Sequence, residues 1–528
     1  MSIDNYDIII IGTGAGGGTL LHRLAPSGKS ILVLERGTFL PREKENWNAA
    51  EVYGKERYHT DEHWYDKESK EFRPQMNYWV GGNTKVYGAA LLRLRERDFE
   101  QVTHKDGISP EWPLKYADFE PYYAQAEKLY DVHGVLGDDP TEPPHSEAYP
   151  YPPVSHEPTM QEIVNNLKKQ GLNPFNLPLG LKINEIDRDK WDCIRCNSCD
   201  GFPCLVKGKA DADINGVRPS LVYNNVTLQT GTKVLKLQTN ESGREVTSVE
   251  VEIEGEIKQF KGNIVVVCCG AINSAALLLR SANDKHPQGL ANSSDQVGRN
   301  LMKHLTSAMV ALSRQPNPSI YQKTIAVSDF YWGEDDFPYP MGFIQNTGNV
   351  LPEMIPAEAP PFLSSMLKLT EKSHISLYPI YQVAAQHSTG WWFQTEDLPN
   401  PNNRVQIKED KLHLDYTPNN SEAGDRLVTR WTEILKKIDR AEHTFPLSIY
   451  PRNKMPLQVV GHQCGTCRFG NDRQTSVLDI NCRTHDLENL YVVDGSFFPS
   501  SAAVNPTLTI MANALRVGDR LLENLINR

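Results

Sequence analysis

The chain has 528 residues, 39% of them apolar and 9% aromatic, with a net charge of -11 and a pI near 5.8. That length exceeds one compact core and predicts two or three domains, while the composition excludes a disordered or fibrous protein. The acidic balance, with no basic stripe, excludes a nucleic-acid partner, because phosphate neutralisation needs clustered Lys and Arg.

The first residues, MSIDN, run directly into YDIIII without a basic leader, a separate apolar segment, a small-residue cleavage site or an Arg pair, which predicts a cytoplasmic protein. Ile8 to Ile11 read as a central parallel strand covered on both faces. Gly12, Gly14 and Gly17 follow as G-x-G-x-x-G and open a helix with Leu20, Leu21 and Leu24 on one face. Gly12 permits the tight turn, Gly14 a close approach of backbone to a pyrophosphate, and Gly17 close packing of the helix. The next strand, ILVLE, ends at Glu35, followed by Arg36; the acid suits ribose hydroxyls and disfavours a 2'-phosphate, so the turn predicts FAD or NAD.

Further along, GDDPTEPPHSEAYPYPPV (137–154) reads as an irregular boundary. Cys193, Cys196, Cys199 and Cys204 stand as C-x2-C-x2-C-x4-C. Three readings of that run stay open: an iron-sulfur cluster, zinc, or structural and free thiols. The run IVVVCCGAINSAALLL from Ile264 carries Gly270, Asn273 and Ser274 and falls short of the roughly 18 apolar residues a membrane span needs. It reads instead as a buried strand turning into a helix, and no membrane span is expected. LPEMIPAEAPPF (351–362) is a second Pro-rich boundary. Tyr378, Tyr381, His387, Trp391 and Trp392 offer flat faces with polar tips suited to a sugar ring, or ordinary sheet packing.

Near the end, GHQCGTCRFG (461–470) places His462 beside Cys464 and Cys467, which read as packing residues. LYVVDGS then gives a strand ending at Asp494 and Gly495, followed by a long amphipathic helix. Asn505 as N-cap and Pro506 at the first helical position predict a helix starting there, with Thr507 in its first turn and its positive end turned outward. A chain that returns to its cofactor this late is holding the flavin end of FAD.

These segments resemble the glucose-methanol-choline (GMC) oxidoreductases, FAD-dependent alcohol dehydrogenases and oxidases. The resemblance is carried by the Gly turn and by YWVGGNTKVYGAALLRLRERDF (78–99), WPLKYADFEPYYAQAE (112–127), VVVCCGAINSAALLLRS (265–281), VGRNLMKH (297–304), PNPNNRV (399–405) and both C-terminal segments, in common order. It implies an α/β fold: a Rossmann-like FAD-binding domain from residues 1–98, 222–303 and 461–528, with an interleaved α+β substrate-binding domain at 304–460. A lid or subunit-contact region with the cysteines would occupy 99–221. This is the GMC and p-hydroxybenzoate hydroxylase-like architecture.

The resemblance also implies that Gly81, Gly82 and Asn83 lie along the pyrophosphate and flavin, and that the backbone of Val234 meets the adenine. His462, in G-H-x-x-G-T, would be the catalytic His, and Asn505 the second member of the pair. Flavin accepts a hydride, so another group must take the hydroxyl proton; a neutral His suits that task, with Asn505 orienting the same oxygen. Gly82 to Tyr87 contains no His, which predicts non-covalent FAD. The pair resembles the pyranose- and glycoside-oxidising branch, so a sugar or glycoside hydroxyl is the expected substrate, with oxygen, a quinone or a redox protein as acceptor.

The alternatives are an FAD and iron-sulfur dehydrogenase of a non-sugar alcohol, an electron-transfer flavoprotein subunit, and a plain NAD dehydrogenase. The hydroxyl attacked and the oligomeric state are open at this level.

Overall fold

The computed structural model describes residues 5–187, 192–355, 377–438 and 452–526. Strand β1 (Asn5–Ile11), helix α1 (Ala15–Leu24) and β2 (Ile31–Leu34) come first. After a long excursion the chain forms β3 (Val226–Gln229), β4 (Thr232–Thr239), β5 (Val246–Ile253), β6 (Glu256–Val267) and α2 (Ala271–Arg280). A second group follows: β7 (Leu305–Leu312), β8 (Ile325–Val327), β9 (Phe343–Asn346), β10 (Ser388–Thr395), α3 (Ser421–Ile438) and β11 (Arg452–Lys454). β12 (Leu490–Val492) and α4 (Thr507–Ile526) complete the chain.

The first sheet has the order β3-β2-β1-β6-β5-β4, with β12 also paired to β6. β1, β2, β3, the C-terminal half of β6 and β12 are parallel, with Ile9 opposite both Leu32 and Val265. Residues 8–11 are at most 3% exposed, as the unbroken apolar run predicts for a strand covered on both faces. β6 is longer than its parallel neighbours; its N-terminal half turns away to pair antiparallel with β5. The apolar run from Ile264 is strand then helix, hinged at Gly270 with φ +82°.

The second sheet, β11-β7-β10-β9-β8 with Phe175–Asn176 at its edge, is antiparallel throughout. Successive strand residues face opposite sides. Met309, Ile344, Trp391 and Phe393 point to one face and pack on Leu427, Val428, Trp431 and Leu435 of α3. Gln345, Trp392 and Ala308, which share a rung of the ladder, point to the other, where a cavity separates the two sheets. A smaller sheet joins Arg404–Lys408 and Lys411–Asp415 to Trp64–Asp66 and Glu71–Phe72.

Within 99–221, Phe175–Asn176 belongs to the second sheet, and Ala212–Val217 packs against α1. The 137–154 stretch holds little regular structure, and the later Pro-rich stretch lies mostly outside the described residues. Among the described residues no helix is long and apolar enough to cross a membrane.

Candidate active site

One cavity of about 1010 Å³ runs from the Gly turn after β1 to His462 and Asn505. Its first end is built from backbone. Gly12 takes φ +99°, and a Cβ there would sit 2.5 Å from the Cys268 carbonyl oxygen. A Cβ on Gly17 would sit 2.0 Å from the Gly12 oxygen, so this glycine is buried behind the turn and permits its closeness. A Cβ on Gly14 would meet nothing within 4 Å, and no side chain caps the α1 N-terminus beside it. The free N-H groups of that helix end therefore face open cavity, as a pyrophosphate requires.

Glu35 lines the cavity and already accepts from the backbone N-H groups of Thr13 (3.1 Å) and Gly37 (2.9 Å) and from the Thr13 hydroxyl. Burial raises its carboxyl, and those hydrogen bonds oppose the rise. Arg36 lies over the Tyr78 ring, 3.7 Å from its centroid, and pairs with Glu62. Gly82, Asn83 and Val234 line the cavity, Val234 at an irregularity in the β4–β5 register. Gly81 stands behind the wall at φ +98°, its N-H donating to the Thr13 hydroxyl at 3.1 Å. These residues fit a dinucleotide.

The other end is built from side chains. Residues 464–469 run beside 495–497, with Gly465, Cys467 and Phe469 N-H groups donating to the carbonyls of Gly495, Ser496 and Phe497. On its other side the same segment forms an antiparallel bridge, Met302 with Cys464. These contacts set His462 in the cavity wall, together with Asn505, Pro506 and Thr507. Burial, followed by the neighbouring His304, Lys303 and Lys323, holds the His462 imidazole well below its ordinary pKa, so the ring is neutral.

The orientation of Asn505 follows from a chain of amides. The Ala503 carbonyl can only accept, so Gln394 places its Nε2 there (3.3 Å). Gln394 Nε2 and Gln345 Nε2 both approach Asn505 Oδ1, at 3.5 and 3.3 Å. Asn505 therefore turns its oxygen to the glutamines and leaves its NH2 to donate into the cavity. Its side chain does not cap α4, which starts two residues later at Thr507; the amide is drawn into the glutamine network instead. Asp494 is a strut: it accepts from the Gly270 (3.0 Å) and Ser496 (2.8 Å) N-H groups and from the Ser274 hydroxyl, tying the end of β12 to the start of α2. Gly495 admits the close passage of Gln463, whose carbonyl oxygen would lie 2.6 Å from a Cβ.

A GMC oxidoreductase family model covers residues 6–306, and a second, C-terminal one covers residues 399–514. The chain belongs to the GMC oxidoreductase family. Members oxidise CH-OH groups and bind FAD. This GMC oxidoreductase is similar to 6'''-hydroxyparomomycin C oxidase of Streptomyces lividus, 30% identical over 98% of this chain and 92% of the relative. Paromamine 6'-oxidase of Streptomyces fradiae is 29% identical over 99% and 92%. 2-Methyl-1,2-propanediol dehydrogenase of Mycolicibacterium austroafricanum is 25% identical over 98% and 95%. A crystal structure of pyridoxine 4-oxidase from Mesorbium loti shares the fold, with a TM-score of 0.65 at 20% identity over 98% of this chain and 99% of that one.

The structure bears on two sets of readings left open for this GMC oxidoreductase. Among the described residues no three His, Cys, Asp or Glu side chains converge on a point that could hold a metal. Cys193, Cys196, Cys199 and Cys204 are separate free thiols, and burial pushes Cys193 up to about 12 and Cys196 up to about 11. Of the aromatic cluster, Trp391 and Trp392 both border the cavity, and Trp392 is the one on the strand face turned toward it, beside Ala308 and Gln345. Trp391 is 1% exposed against Trp431, with ring centroids 4.7 Å apart, because adjacent residues of a strand face opposite ways. Tyr378 and Tyr381 belong to the helix Tyr378–Gln386, and His387 Nδ1 donates to the Ser313 carbonyl at 3.1 Å.

Sequence reasoning missed the polar wall opposite the flavin end. Lys323 donates to Asp200 at 2.7 Å, and both line the cavity with Gln345. Burial would raise Asp200, but Lys323 leaves its carboxyl below the usual range. Gln345 is 3% exposed, and its Oε1 has no protein partner among the described residues. A polar residue inside the apolar strand FIQN was the available signal.

Proposed function

We propose that this GMC oxidoreductase oxidises a hydroxyl of a sugar or glycoside, using non-covalently bound FAD. The observation that carries the reading is the convergence of neutral His462 and the Asn505 NH2 at one end of a cavity whose other end fits a dinucleotide. Bound FAD would supply the hydride acceptor. His462 takes the hydroxyl proton, and Asn505 donates to the same oxygen, fixing the C-H bond that must break. Loss of hydride from carbon and proton from oxygen leaves a carbonyl product.

The far wall supports a polyhydroxylated substrate. Trp392 offers a flat face, Gln345 an unused acceptor, and the Lys323–Asp200 pair both a donor and a carboxylate. Two relatives are named for oxidising aminoglycosides or their parts, which points the same way. The third relative is named for a small diol, so non-sugar alcohols form the second reading.

The test is an anaerobic absorbance spectrum of the purified protein, with sugars, amino sugars, glycosides and small diols added in turn. Bleaching of the flavin bands by a sugar or glycoside supports the proposal; bleaching by diols alone supports the second reading. Acid precipitation should leave the flavin in the supernatant. Recovery of colour on admitting air separates oxygen from other acceptors.

A further inference from the structure

His304 makes the closest contact to His462, Nδ1 to Nδ1 at 3.0 Å, with the rings edge to face at 86°. The backbone explains the encounter. Met302 and Cys464 exchange both backbone hydrogen bonds, at 3.0 and 2.9 Å, across an antiparallel bridge. Two residues forward from Met302 and two back from Cys464, the side chains on the same face are His304 and His462. The strand is clamped as well: Leu301 N-H donates to Asn403 O at 2.9 Å and Lys303 N-H to Asp397 Oδ2 at 3.0 Å. His304 itself sits at φ +60°, a conformation His tolerates better than most residues.

One proton lies between the two Nδ1 atoms, and its owner can be deduced. His304 Nε2 is 3.0 Å from the Ser501 carbonyl oxygen, which only accepts, so Nε2 carries a hydrogen. A neutral imidazole carries one N-H, which leaves His304 Nδ1 as a bare lone pair. His462 Nδ1 must then donate to it, and His462 Nε2 is the unprotonated nitrogen. No protein partner for that Nε2 is present among the described residues, and the ring lines the cavity.

This tautomer of His462 requires a neutral His304. Its ring is 1% exposed. The groups facing it are the Ser501 and Ala502 carbonyls, Glu396, Lys303 and His462, and burial outweighs the carbonyls and the Glu396 carboxylate to keep it uncharged. A charged His304 would donate from both nitrogens and force a hydrogen onto the cavity-side nitrogen of His462.

We propose that His304 is a positioning residue that locks His462 in the Nδ1-H tautomer, so that a bare Nε2 faces the substrate hydroxyl. When Nε2 takes the hydroxyl proton, His462 becomes imidazolium with its Nδ1-H already seated on the His304 lone pair. The proton stays on His462, and no charge passes to His304. This inference rests on the reading of His462 as proton acceptor for its consequence in catalysis, while the tautomer itself is measurable without turnover.

The experiment is nitrogen NMR of the flavin-loaded protein labelled with ¹⁵N-histidine, with the His462 signals assigned by their loss in His462→Gln. The expected wild-type pattern is a protonated Nδ1 and an unprotonated Nε2. A hydrogen on Nε2 of His462 in the wild type overturns the proposal, whatever the activity. In His304→Ala the lock is gone: His462 should move to the Nε2-H form, and kcat should fall about 10- to 100-fold with KM changed less than about threefold. His304→Asn tolerates the same backbone conformation and offers Oδ1 near the lost Nδ1; it should restore the wild-type tautomer and most of kcat. A folded His304→Ala protein with full kcat, or with kcat and KM damaged together at an unchanged tautomer, overturns the positioning role. If His462→Gln itself stays fully active, the proton-acceptor reading fails while the tautomer assignment stands.

Discussion

The two ends of the cavity are made of different material. The nucleotide end is backbone: consecutive residues 12–17, a bare helix end, and one carboxylate held by its own turn. The catalytic end is side chains drawn from separate segments, with His304 and His462 standing 158 residues apart in sequence. Backbone surfaces cannot be removed by truncating a side chain; they fail when a side chain is added. The catalytic end should behave in the opposite way, tolerating neighbours and failing on deletion.

The largest effects test that contrast directly. A Cβ at Gly16 would lie 2.0 Å from the Val493 carbonyl oxygen, so Gly16→Ala should destabilise the fold by on the order of 3 kcal/mol and abolish flavin binding. Gly14→Ala, with open space around it, should melt normally yet bind flavin weakly; melting curves and flavin per chain read both. His462→Ala should lower kcat by about 10²- to 10⁴-fold while retaining flavin and melting temperature.

Adjacent tryptophans give the next test. Trp391→Ala empties the core under α3 and should cost about 3 to 5 kcal/mol in denaturant unfolding with KM unchanged. Trp392→Ala should raise KM for the reactive substrate and leave stability nearly intact. A smaller loss, about tenfold in kcat/KM, is expected for Asn505→Ala, which removes the proposed donor to the reacting oxygen.

The smallest effect is in pH. His462 and His304 are both lowered from 6.5, His462 chiefly by burial and then by His304, Lys303 and Lys323. With neutral His462 as the proposed proton acceptor, kcat/KM should stay level as pH falls through 6.5 and decline only in more acidic solution. Stability carries the same sign: below pH 6.5 the unfolded chain binds protons that the folded chain refuses, so acidification destabilises, by at most about 1.4 kcal/mol per pH unit for each ring. Replacing either His should flatten that slope in melts between pH 7.5 and 5.5.

The nucleotide end could be read from sequence because its geometry is local. Gly12 to Glu35 form one strand-turn-helix-strand unit, and each glycine's reason lies within it or against the strand beside it. His462 and Asn505 were found through motif resemblance, but the direction of each hydrogen bond was not, since it depends on Gln345, Gln394 and Ser501 arriving from elsewhere. His304 stood in a recognised motif without a role, because only the Met302–Cys464 bridge brings it opposite His462. The Lys323–Asp200 pair carries no sequence pattern at all. The two readings left open for the adjacent tryptophans divide between them, because neighbouring side chains of a strand point to opposite faces: Trp391 packs in the core and Trp392 turns to the cavity.

The pairing of β12 with the C-terminal half of β6 has a consequence for synthesis. Val265, Val266 and Val267 are paired on one side by residues 9–11 and on the other by residues 490–492. Until the ribosome has delivered that last strand, the growing chain carries an unprotected apolar edge of parallel sheet, the kind of template on which nascent proteins aggregate. Closure of that edge therefore waits for residues 490–492, and a chain that stops before them leaves the strand through Val265–Val267 open on one side.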